Sequence, residues 1–573
     1  MDTINKGSST DQASSTSTGR IRVIHTRGDD RAIGLQHAEQ VGADVSRGML
    51  SCIPLFWNEL YGANIQKLLP RLTLATLRNA IEYLFEPLLW RQVGPGPRRR
   101  LRALAEGAKL TDKALKRMVL FPDVFPVLQS YWARLDKNTF MPGLGALGCT
   151  SFMAQGKRFL YGRNLDFLGV GYWDQVPVLQ LTERTGARYR TLGFASAGVP
   201  LCGITGINEV GLTCALHQHY SMRSSLRGQL PFMVAEELLE SCGTLEEARH
   251  FLEKRRVASA WAFVITGGKE QSGFVFEADA QGHGHRALDA SVLTHSNYFQ
   301  TAHGQACEYS ASARMNWDNR ARAARLRYLA ESASPGLTAS LAARFLGDHW
   351  DPFWEEEKVL NRTVSQGFNI QSVVLDPRNM KAWVAEGGTP IHLSHYVEFD
   401  LGEIFAGREG RGAPTPGFRF RHEKLAESKR AYAESVGAGM VGDAPRAQRT
   451  LDAALEAAYT PELAFIQGIW HLKNADYRGA FTIFSKAVQF LEEKVKAHNK
   501  KHPPEYFECA LFKARSLDLL GRRQEALREY ARIEAHSDLE DRAIRHKARR
   551  APSYGPRDVS LLVAPYSSYI PLQ

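Results

Sequence analysis

Apolar and polar positions divide the chain into three stretches of different character. From about residue 21 to 140, apolar positions recur mostly at helical spacing, after a short strand-like start at residues 21–24. From Cys149 onward, short segments alternate or run apolar and contain many β-branched and aromatic residues, which is typical of strands. Beyond about residue 418 the spacing is helical again. The pattern predicts a mainly helical N-terminal segment, a central region built on sheets and a helical C-terminal domain.

Within the central region, the same criteria predict a series of strands separated by turn residues. These are Thr150–Ala154, Phe159–Tyr161, Val176–Glu183, Tyr189–Phe194, Leu201–Asn208, Gly211–His217, Trp261–Thr266, Gly273–Ala278, Ser291–His295, Ile370–Leu375 and Lys381–Ala385. Helices are expected over Pro231–Lys254, with a capping box that starts at Thr244, and over about 313–332 and 337–346. Helices between groups of strands indicate a layered domain with sheets inside and helices outside, rather than a barrel.

The helical N-terminal segment is predicted to consist of three helical stretches. They cover Arg31 to about Leu50, Ile65 to Trp90, and about Arg98 to Leu135, and Pro70 and Pro87 are expected to break the second one. The glycine-rich run Met141–Gly148 ends this segment as a loop. The Ser- and Thr-rich residues 1–20 hold no apolar run and are expected to be a disordered tail.

Composition marks one further boundary, at residues 406–417, where four glycines and two prolines predict a linker. The predicted organisation is therefore a tail (1–20), a helical pro-segment (21–148), a core (149–405), the linker (406–417) and a helical domain (418–573). In that last domain the spacing Ala480-x-x-x-Phe484 recurs as Ala526-x-x-x-Tyr530 and resembles the tetratricopeptide repeat. Ordinary helical hairpins are the alternative.

Charge and cysteine content narrow the classes of function. The formal net charge of +11 is spread along the chain without a recognised binding module, so nucleic-acid binding is not predicted. The seven cysteines form no CxxC pair, which predicts reduced thiols in a cytoplasmic protein rather than disulfides or a zinc site. His217-x-His219 and His283-x-His285 lack an evident third ligand, so we predict neither a metal nor a cofactor. No apolar run of about 18 residues predicts a membrane span.

The candidate chemistry lies at the start of the central region. Residues 152–160 read as a strand, a Gly-Lys turn and a second strand, so the hairpin returns Arg163 and Asp166 to the neighbourhood of Cys149. A cation and a carboxylate beside a cysteine are what a thiolate or an amine base needs. We therefore predict that Cys149 is a nucleophile.

Four motifs in this order resemble the N-terminal-nucleophile (Ntn) hydrolases, and most closely the self-cleaving branch typified by isopenicillin-N acyltransferase. The motifs are Gly148-Cys149-Thr150, Gly162-Arg163-Asn164-x-Asp166-Phe167, Gly206-Ile207-Asn208-Glu209-x-Gly211 and Leu293-Thr294-His295-Ser296-Asn297. The resemblance covers about residues 21–400 and extends more distantly to choloylglycine hydrolases and acid ceramidase-type amidases. It implies an α+β fold, the αββα layered sandwich.

The resemblance also implies a mechanism and a set of roles. The precursor would cut itself between Gly148 and Cys149, and the new α-amine of Cys149 would be the general base. Asp166 would orient that amine, and Arg163 would favour the thiolate and hold a substrate carbonyl or carboxylate. Asn208 and Asn297 would donate hydrogen bonds to the oxyanion. Arg322 is the best match to a later family arginine and, with His217, is a candidate for substrate binding.

These features favour a self-processing cysteine amidohydrolase or acyltransferase that acts on a small-molecule amide. Sequence does not separate hydrolysis from acyl transfer, because both reactions use the same residues. Two alternatives remain: a catalytically retired scaffold that binds partners through its C-terminal repeats, and an amidase of the same fold that never cleaves itself. For the C-terminal helices, recruiting a protein partner, shielding the site and forming a homo-oligomer are all open.

Overall fold

The computed structural model describes residues 20–45, 48, 73–135, 148–167, 169–199, 204–309, 312–440, 442–553 and 555. The tail over residues 1–19, the loop over residues 141–147, Pro70, Cys52 and Cys202 lie outside the described residues, so the predictions made for them stay predictions.

One sheet of eight strands forms the first half of the central domain. Its strands lie in the order β1-β4-β5-β6-β7-β8-β9-β10. They are β1 (Arg22–Gly28), β4 (Pro177–Arg184), β5 (Thr191–Ser196), β6 (Thr205–Asn208), β7 (Leu212–Gln218), β8 (Trp261–Gly267), β9 (Ser272–Ala278) and β10 (His283–Ala287). The neighbours are antiparallel except β1 and β4, which run parallel.

A second sheet of seven strands carries the predicted nucleophile, in the order β11-β2-β3-β14-β15-β16-β17. Its strands are β2 (Gly148–Ala154), β3 (Leu160–Asp166), β11 (Val292–His295), β14 (Asn369–Asp376), β15 (Lys381–Glu386), β16 (His395–Asp400) and β17 (Arg411–Thr415). A short separate hairpin pairs β12 (Trp350–Asp351) with β13 (Glu356–Glu357). The two large sheets share one buried core, to which Met153 and Val373 of one sheet and Leu179 and Val264 of the other contribute.

Helices cover the outer faces of both sheets. On the eight-stranded sheet, α5 (Pro231–Ser241) and α6 (Leu245–Glu253) bury their apolar side chains against β7, β8 and β9. On the other sheet, α8 (Ala313–Ala333) and α9 (Ala339–Leu346) do the same against β2, β3 and β14. Of the short helices, α7 (Ala302–Gln305) lies between β11 and α8, and α10 (Leu401–Phe405) joins β16 to β17. The predicted α+β fold with αββα layers is confirmed.

The N-terminal segment differs from its prediction in two respects. Its first strand is not separate from the core, because β1 pairs with β4 along its whole length. Pro87 does not break a helix, since it lies inside α2 (Leu74–Trp90) near the end of that helix. The other helices are α1 (Asp30–Val45), α3 (Pro95–Gly107) and α4 (Asp112–Leu135).

The C-terminal part begins later than composition predicts. Residues 411–415, in the predicted linker, form the edge strand β17 and pair with β16. This prediction was wrong because cross-strand pairing overrides a glycine-rich composition. The helices that follow are α11 (Glu423–Met440), α12 (Ala444–Ala457), α13 (Pro461–Lys473), α14 (Tyr477–His498), α15 (Pro504–Leu519), α16 (Arg523–Ala535) and α17 (Arg542–Arg550). Their likeness to tetratricopeptide repeats stays a prediction. No helix in the described ranges is both long and apolar enough to span a bilayer.

Candidate active site

The β2–β3 hairpin brings the predicted catalytic residues together. Gly148 is opposite Asp166 in the register, and Cys149 is opposite Leu165. Ser151 is opposite Arg163. Because opposed residues share a face and side chains alternate along a strand, this register places Arg163 on the same face as Cys149, and Asp166 beside Gly148 on the other face.

Cys149 lies at the start of β2 and is 5% exposed. Nη2 of Arg163 lies 3.5 Å from its Sγ, and Sγ lies 3.7 Å from the carbonyl oxygen of Leu216. Burial raises the pKa of the Cys149 thiol, and the positive charge of Arg163 opposes that rise. The thiol is therefore held close to a cation that favours its ionised form.

Arg163 is itself fixed by neutral acceptors. Its guanidinium donates to the carbonyl oxygens of Ile204 and Leu216 and to the hydroxyl of Thr205. Among the described residues it forms no ion pair with a carboxylate. A charge that no carboxylate neutralises acts more strongly on the thiol beside it.

Asp166 is buried directly behind the bond that the sequence predicts to be cut. Nδ2 of Asn369 donates to its Oδ1 at 2.8 Å, whereas Oδ2 has no hydrogen-bond partner in the part of the chain described here. A Cβ added to Gly148 would lie 3.3 Å from that Oδ2, so Asp166 faces the Gly148–Cys149 bond at close range. Burial raises the pKa of Asp166 to about 7, against the opposing charge of Arg322.

Asn297 and Arg322 hold the backbone of Cys149. The amide nitrogen of Cys149 donates to Oδ1 of Asn297 at 2.6 Å, and Nδ2 of Asn297 donates to the carbonyl oxygen of Gln218. Nη1 of Arg322 donates to the carbonyl oxygen of Cys149 at 3.0 Å and to the hydroxyl of Thr150. Arg322 therefore contacts the nucleophile from behind, and its predicted contact with substrate is not seen, because Arg322 does not line the pocket.

Cys149 opens into an apolar pocket that continues away from the sheets. Its empty space is about 920 Å³, including the opening to solvent. The N-terminal helix α4 forms one wall of this pocket. The lining residues are Met118, Val119, Phe121, Pro122, Gly148, Cys149, Leu165, Asp166, Phe167, Trp173, Val199, Ile204, Leu216, Gln218, Phe232, Trp261 and Asn297.

Gln218 is a polar residue of the pocket that the sequence analysis missed. Its side chain is 2% exposed, and neither Oε1 nor Nε2 finds a partner within the described structure. An unpaired buried amide is costly, so a side chain of this kind in a ligand pocket indicates a polar group that arrives with the ligand. Its position at the end of β7, in the same strand as Leu216, is the only signal in the sequence that could have placed it here.

Two predicted site residues lie elsewhere. Asn208 donates to the carbonyl oxygens of Leu239 and Cys242 and accepts from the amide of Leu212, at the far end of β6 from the site. Leu212 and Leu216 are four residues apart on β7, which corresponds to about 13 Å. The prediction of Asn208 as an oxyanion donor was therefore wrong. Its side chain instead closes a turn and holds α5, as asparagine often does in turns.

His217 also lies outside the pocket, so its predicted role in substrate binding is not supported. Its ring points between the sheets, and its Nε2 hydrogen-bonds the hydroxyl of Ser151 at 2.7 Å. Burial lowers the pKa of His217 well below its usual value. The ring is therefore neutral at pH 7 and acts as a polar part of the core.

One cluster of possible metal ligands lies in the helical domain, far along the chain from Cys149. It consists of His502, His536 and Asp538. Asp538 accepts hydrogen bonds from the backbone and ring of His502, and Nδ1 of His536 accepts from the backbone amide of Asp538. These bonds leave His536 with its proton on Nε2, which removes that atom as a metal ligand. The cluster links two helix ends.

A comparison with models of known protein families finds a match to the central domain. Residues 153–390 match the family model described as acyl-coenzyme A:6-aminopenicillanic acid acyl-transferase. Over this range the central domain is similar to the acyltransferase family. The matched range of the acyltransferase model includes Arg163, Asp166, Asn297 and Arg322, and it starts just after Cys149. The resemblance to Ntn hydrolases noted in the sequence is thereby confirmed.

The comparisons with curated protein sequences and with solved structures give less information about the family. No curated protein sequence matches the chain. One solved structure that matches is the N-acylethanolamine-hydrolyzing acid amidase (NAAA) ortholog of Caenorhabditis elegans, at 18% identity. That match covers 40% of this chain and 93% of the other, with a TM-score of 0.30.

Proposed function

We propose that this protein is a self-processing Ntn amidohydrolase or acyltransferase in which Cys149 is the nucleophile. The observation that supports the proposal is the arrangement of residues around Cys149. Its thiol lies 3.5 Å from Arg163, and its amide nitrogen is bound to Asn297. It also lies at the base of an apolar pocket. The match of residues 153–390 to the acyltransferase family model supports the coarser statement, an enzyme of the Ntn acyltransferase type.

Self-processing would begin when Sγ of Cys149 attacks the carbonyl carbon of Gly148. The C–N bond between Gly148 and Cys149 breaks, and the nitrogen leaves as the α-amine of Cys149 while an ester forms at sulfur. Water then hydrolyses that thioester, which releases Gly148 with a free carboxylate. Asp166 lies opposite Gly148 in the strand pair, and its nearness to the cut bond supports the role of hydrogen-bonding the departing nitrogen. Gly148 has no Cβ, so the attacked carbonyl is open to the thiol.

The mature enzyme would use the new α-amine as its base. A free α-amine has a pKa of about 7.7–8.0, which suits a group that accepts the thiol proton and returns it to the leaving amine. The substrate acyl group passes to Sγ as a thioester and then to water or to another amine. Asn297 lines the pocket, and its Nδ2 carries a second hydrogen besides the one bound to the carbonyl of Gln218, which supports the oxyanion role that the sequence assigns to it. The side-chain amide of Gln218 is a further donor in the same pocket.

The pocket favours an amide with an apolar acyl group. Its walls are aromatic and aliphatic side chains, with Phe121, Trp173 and Trp261 among them. Burying such a group gains roughly 25 cal/mol per Å² of apolar surface. Arg163 is not a lining residue, so the contact with a substrate carboxylate predicted from the sequence has no support from the pocket.

The intact mass of the purified protein tests the proposal. Wild type should separate under denaturing conditions into pieces of 148 and 425 residues, the second beginning with Cys149. Cys149→Ala should stay whole, because the attacking sulfur is gone. As a matched control, Cys214→Ala removes another buried cysteine outside the site and should cleave like wild type.

The other outcomes are equally informative. If folded wild type and Cys149→Ala both stay whole, self-processing is wrong, and the cysteine amidase without processing becomes the better description. If whole wild type also fails to release amine from N-acyl amides with apolar chains, the retired scaffold is favoured.

A further inference from the structure

We propose that the C-terminal helical domain is part of the catalytic site, because it fixes the position of the arginine that holds Cys149. The connection runs through four charged residues, from Glu505 of α15 to Arg362, then to Asp318 and finally to Arg322 of α8. This inference rests on the proposed function, since it takes Cys149 as the nucleophile. None of the roles left open by the sequence (recruiting a partner, shielding the site, forming an oligomer) includes this one.

The first link is inside the core, on helix α8. Arg322 contacts the carbonyl oxygen of Cys149 with one face of its guanidinium, and its Nε donates to Oδ2 of Asp318 at 2.8 Å. Its Nη2 donates to Oδ1 of Asn297 at 3.3 Å. A side chain with this many fixed partners has one orientation, and Asp318 is the charged residue that determines it.

The second link leaves the core. Oδ1 of Asp318 accepts from the backbone amide of Arg362 at 2.8 Å and from Nε2 of Gln366 at 3.4 Å. Asp318 therefore joins helix α8 to the segment that packs between the core and the helical domain. Any shift of the Arg362 backbone moves the acceptor that orients Arg322.

The third link crosses to the helical domain. Arg362 is 1% exposed, and its guanidinium binds Asp351 on one side and both oxygens of Glu505 on the other, at 2.8 and 2.9 Å. Its backbone φ of +57° lies in the left-handed region, and so does that of Asn361 at +71°. Backbone in this region is strained for residues other than glycine and persists where the surroundings hold it in place. Glu505, on α15, is among the residues that hold it.

Two further contacts hold the same helix from the same domain. Arg314, in the first turn of α8, is ion-paired with Glu508 of α15. The backbone amide of Ala313 donates to Asp541 at 3.0 Å. Helix α8 is thus fixed at its start by the helical domain, eight residues before Arg322, in addition to the connection through Arg362.

A fourth side chain of the helical domain lies within electrostatic range of Asp166 and Asp318. Lys429 of α11 is completely buried and donates to the carbonyl oxygen of Val359 at 2.8 Å. Burial lowers the pKa of Lys429 to about 7, against the opposing charges of Asp166 and Asp318. The helical domain therefore contributes charge as well as support to the surroundings of Cys149.

The substitution Glu505→Gln tests the connection, because it keeps the shape of the side chain and removes the charge that holds Arg362. The matched control is Glu462→Gln. It also removes a buried carboxylate of the helical domain, but its partners are Lys358 and Asn361, so it does not bind Arg362 itself, and neither partner donates to Asp318. Both variants should lower the unfolding midpoint, and only Glu505→Gln should impair the site. Asp318→Asn, within the core, gives a second route should Glu505→Gln fail to fold.

Two readouts on the full chain separate positioning from stability. The first is the rate of self-cleavage, which Glu505→Gln should slow about 10- to 100-fold, since misplacement by about 1 Å costs that much. The second is the rate at which iodoacetamide alkylates Cys149, followed by peptide mass across a pH series. The charged groups around Sγ are Arg163 and Asp166 on β3 and Arg322 on α8. Displacing Arg322 removes a cation and should move the alkylation profile to higher pH.

The outcomes distinguish this inference from the proposed function. If wild type does not cleave, self-processing fails, and the alkylation profiles still decide whether Glu505 acts on Cys149. If Glu505→Gln matches Glu462→Gln in both readouts, the positioning inference is overturned. If Glu505 and Asp318 act through the same series of contacts, the double variant Glu505→Gln/Asp318→Asn should cleave itself about as slowly as Asp318→Asn alone. If the two residues acted independently, the two reductions in rate would multiply.

Discussion

At the scale of single residues, Asp166 makes the protein less stable as the pH rises. In the unfolded chain its pKa is the ordinary 3.8, and burial raises it to about 7 in the folded state. Below pH 4 the carboxyl is neutral in both states, so its effect on stability is small. Between pH 4 and 7 the unfolded state gives up its proton first, and folding becomes less favourable by about 1.4 kcal/mol per unit of pKa difference.

Asp166→Asn should therefore stabilise the protein above pH 7 and leave it nearly unchanged at pH 4. The comparison is best made in the Cys149→Ala background, so that every sample is one uncut chain. Urea unfolding at pH 4.5 and pH 8 would show a gain of up to a few kcal/mol at the higher pH only. An equal difference at both pH values would contradict the raised pKa.

The unpaired amide of Gln218 leads to a second prediction at this scale. Gln218→Leu removes a buried polar group without a partner and keeps most of its volume, so the free energy of unfolding should rise by about 1 kcal/mol. Because the missing amide is expected to pair with substrate, kcat/KM for apolar N-acyl amides should fall roughly 10- to 100-fold. Thermal unfolding and steady-state kinetics measure the two effects. A gain in stability with unchanged kcat/KM would mean that the amide meets no substrate group.

Sequence could supply some of these residues and not others. Cys149, Arg163 and Asp166 come from one hairpin, whose register follows from local alternation and a short turn. Asn297 could be predicted because it ends a motif that resembles one of the family's motifs. Asn208 also matched a motif, but the direction of its side chain depends on carbonyls of α5 that are distant in sequence. Gln218 was missed because a lack of hydrogen-bond partners is visible only once the neighbours are in place.

At the scale of elements, alternation and helical spacing predicted the central strands and helices, and the errors have clear causes. Proline close to the end of a helix removes few hydrogen bonds, so α2 tolerates Pro87. The strand β17 is stabilised by its partner β16 and not by its own composition. The most consequential miss was that the N-terminal segment supplies a strand of the sheet and a wall of the pocket.

Because of that arrangement, the 148-residue piece should stay bound after cleavage. Strand β1 pairs with β4 along seven residues, α4 lines the pocket, and Arg100 forms a buried ion pair with Glu236 across the cut. Native mass spectrometry should show one species that contains both pieces, and denaturing mass spectrometry should show two. Free 148-residue fragment under native conditions would contradict this expectation.

At the scale of the whole molecule, the boundary between core and helical domain is unusually rich in buried charge. Arg314, Lys358 and Arg362 of the core each meet a glutamate of the helical domain. Removing one partner of a buried pair typically costs about 3–5 kcal/mol, because the other charge is left uncompensated. The two domains therefore cannot separate from each other without exposing these charges to solvent or leaving them buried without a partner.

We accordingly expect core and helical domain to unfold together. Calorimetry of Cys149→Ala should give one transition, with a van't Hoff enthalpy equal to the calorimetric enthalpy. Two resolved transitions would show that the domains are independent. Glu505→Gln should loosen this coupling and broaden the transition, whereas the exposed pair Arg522–Glu525 can be broken by Glu525→Gln without effect.

The position of Glu505 in the chain has a consequence for protein synthesis. A ribosome that has completed the β2–β3 hairpin has already produced Cys149, Arg163 and Asp166, yet Arg322 lies more than 150 residues ahead, and Glu505 lies more than 300 residues ahead. On our proposal the thiol stays inactive through most of translation, because the groups that align it do not yet exist. Cleavage then occurs only in chains whose helical domain has been made and has docked on the core, so a cleaved chain is one in which both domains have folded together.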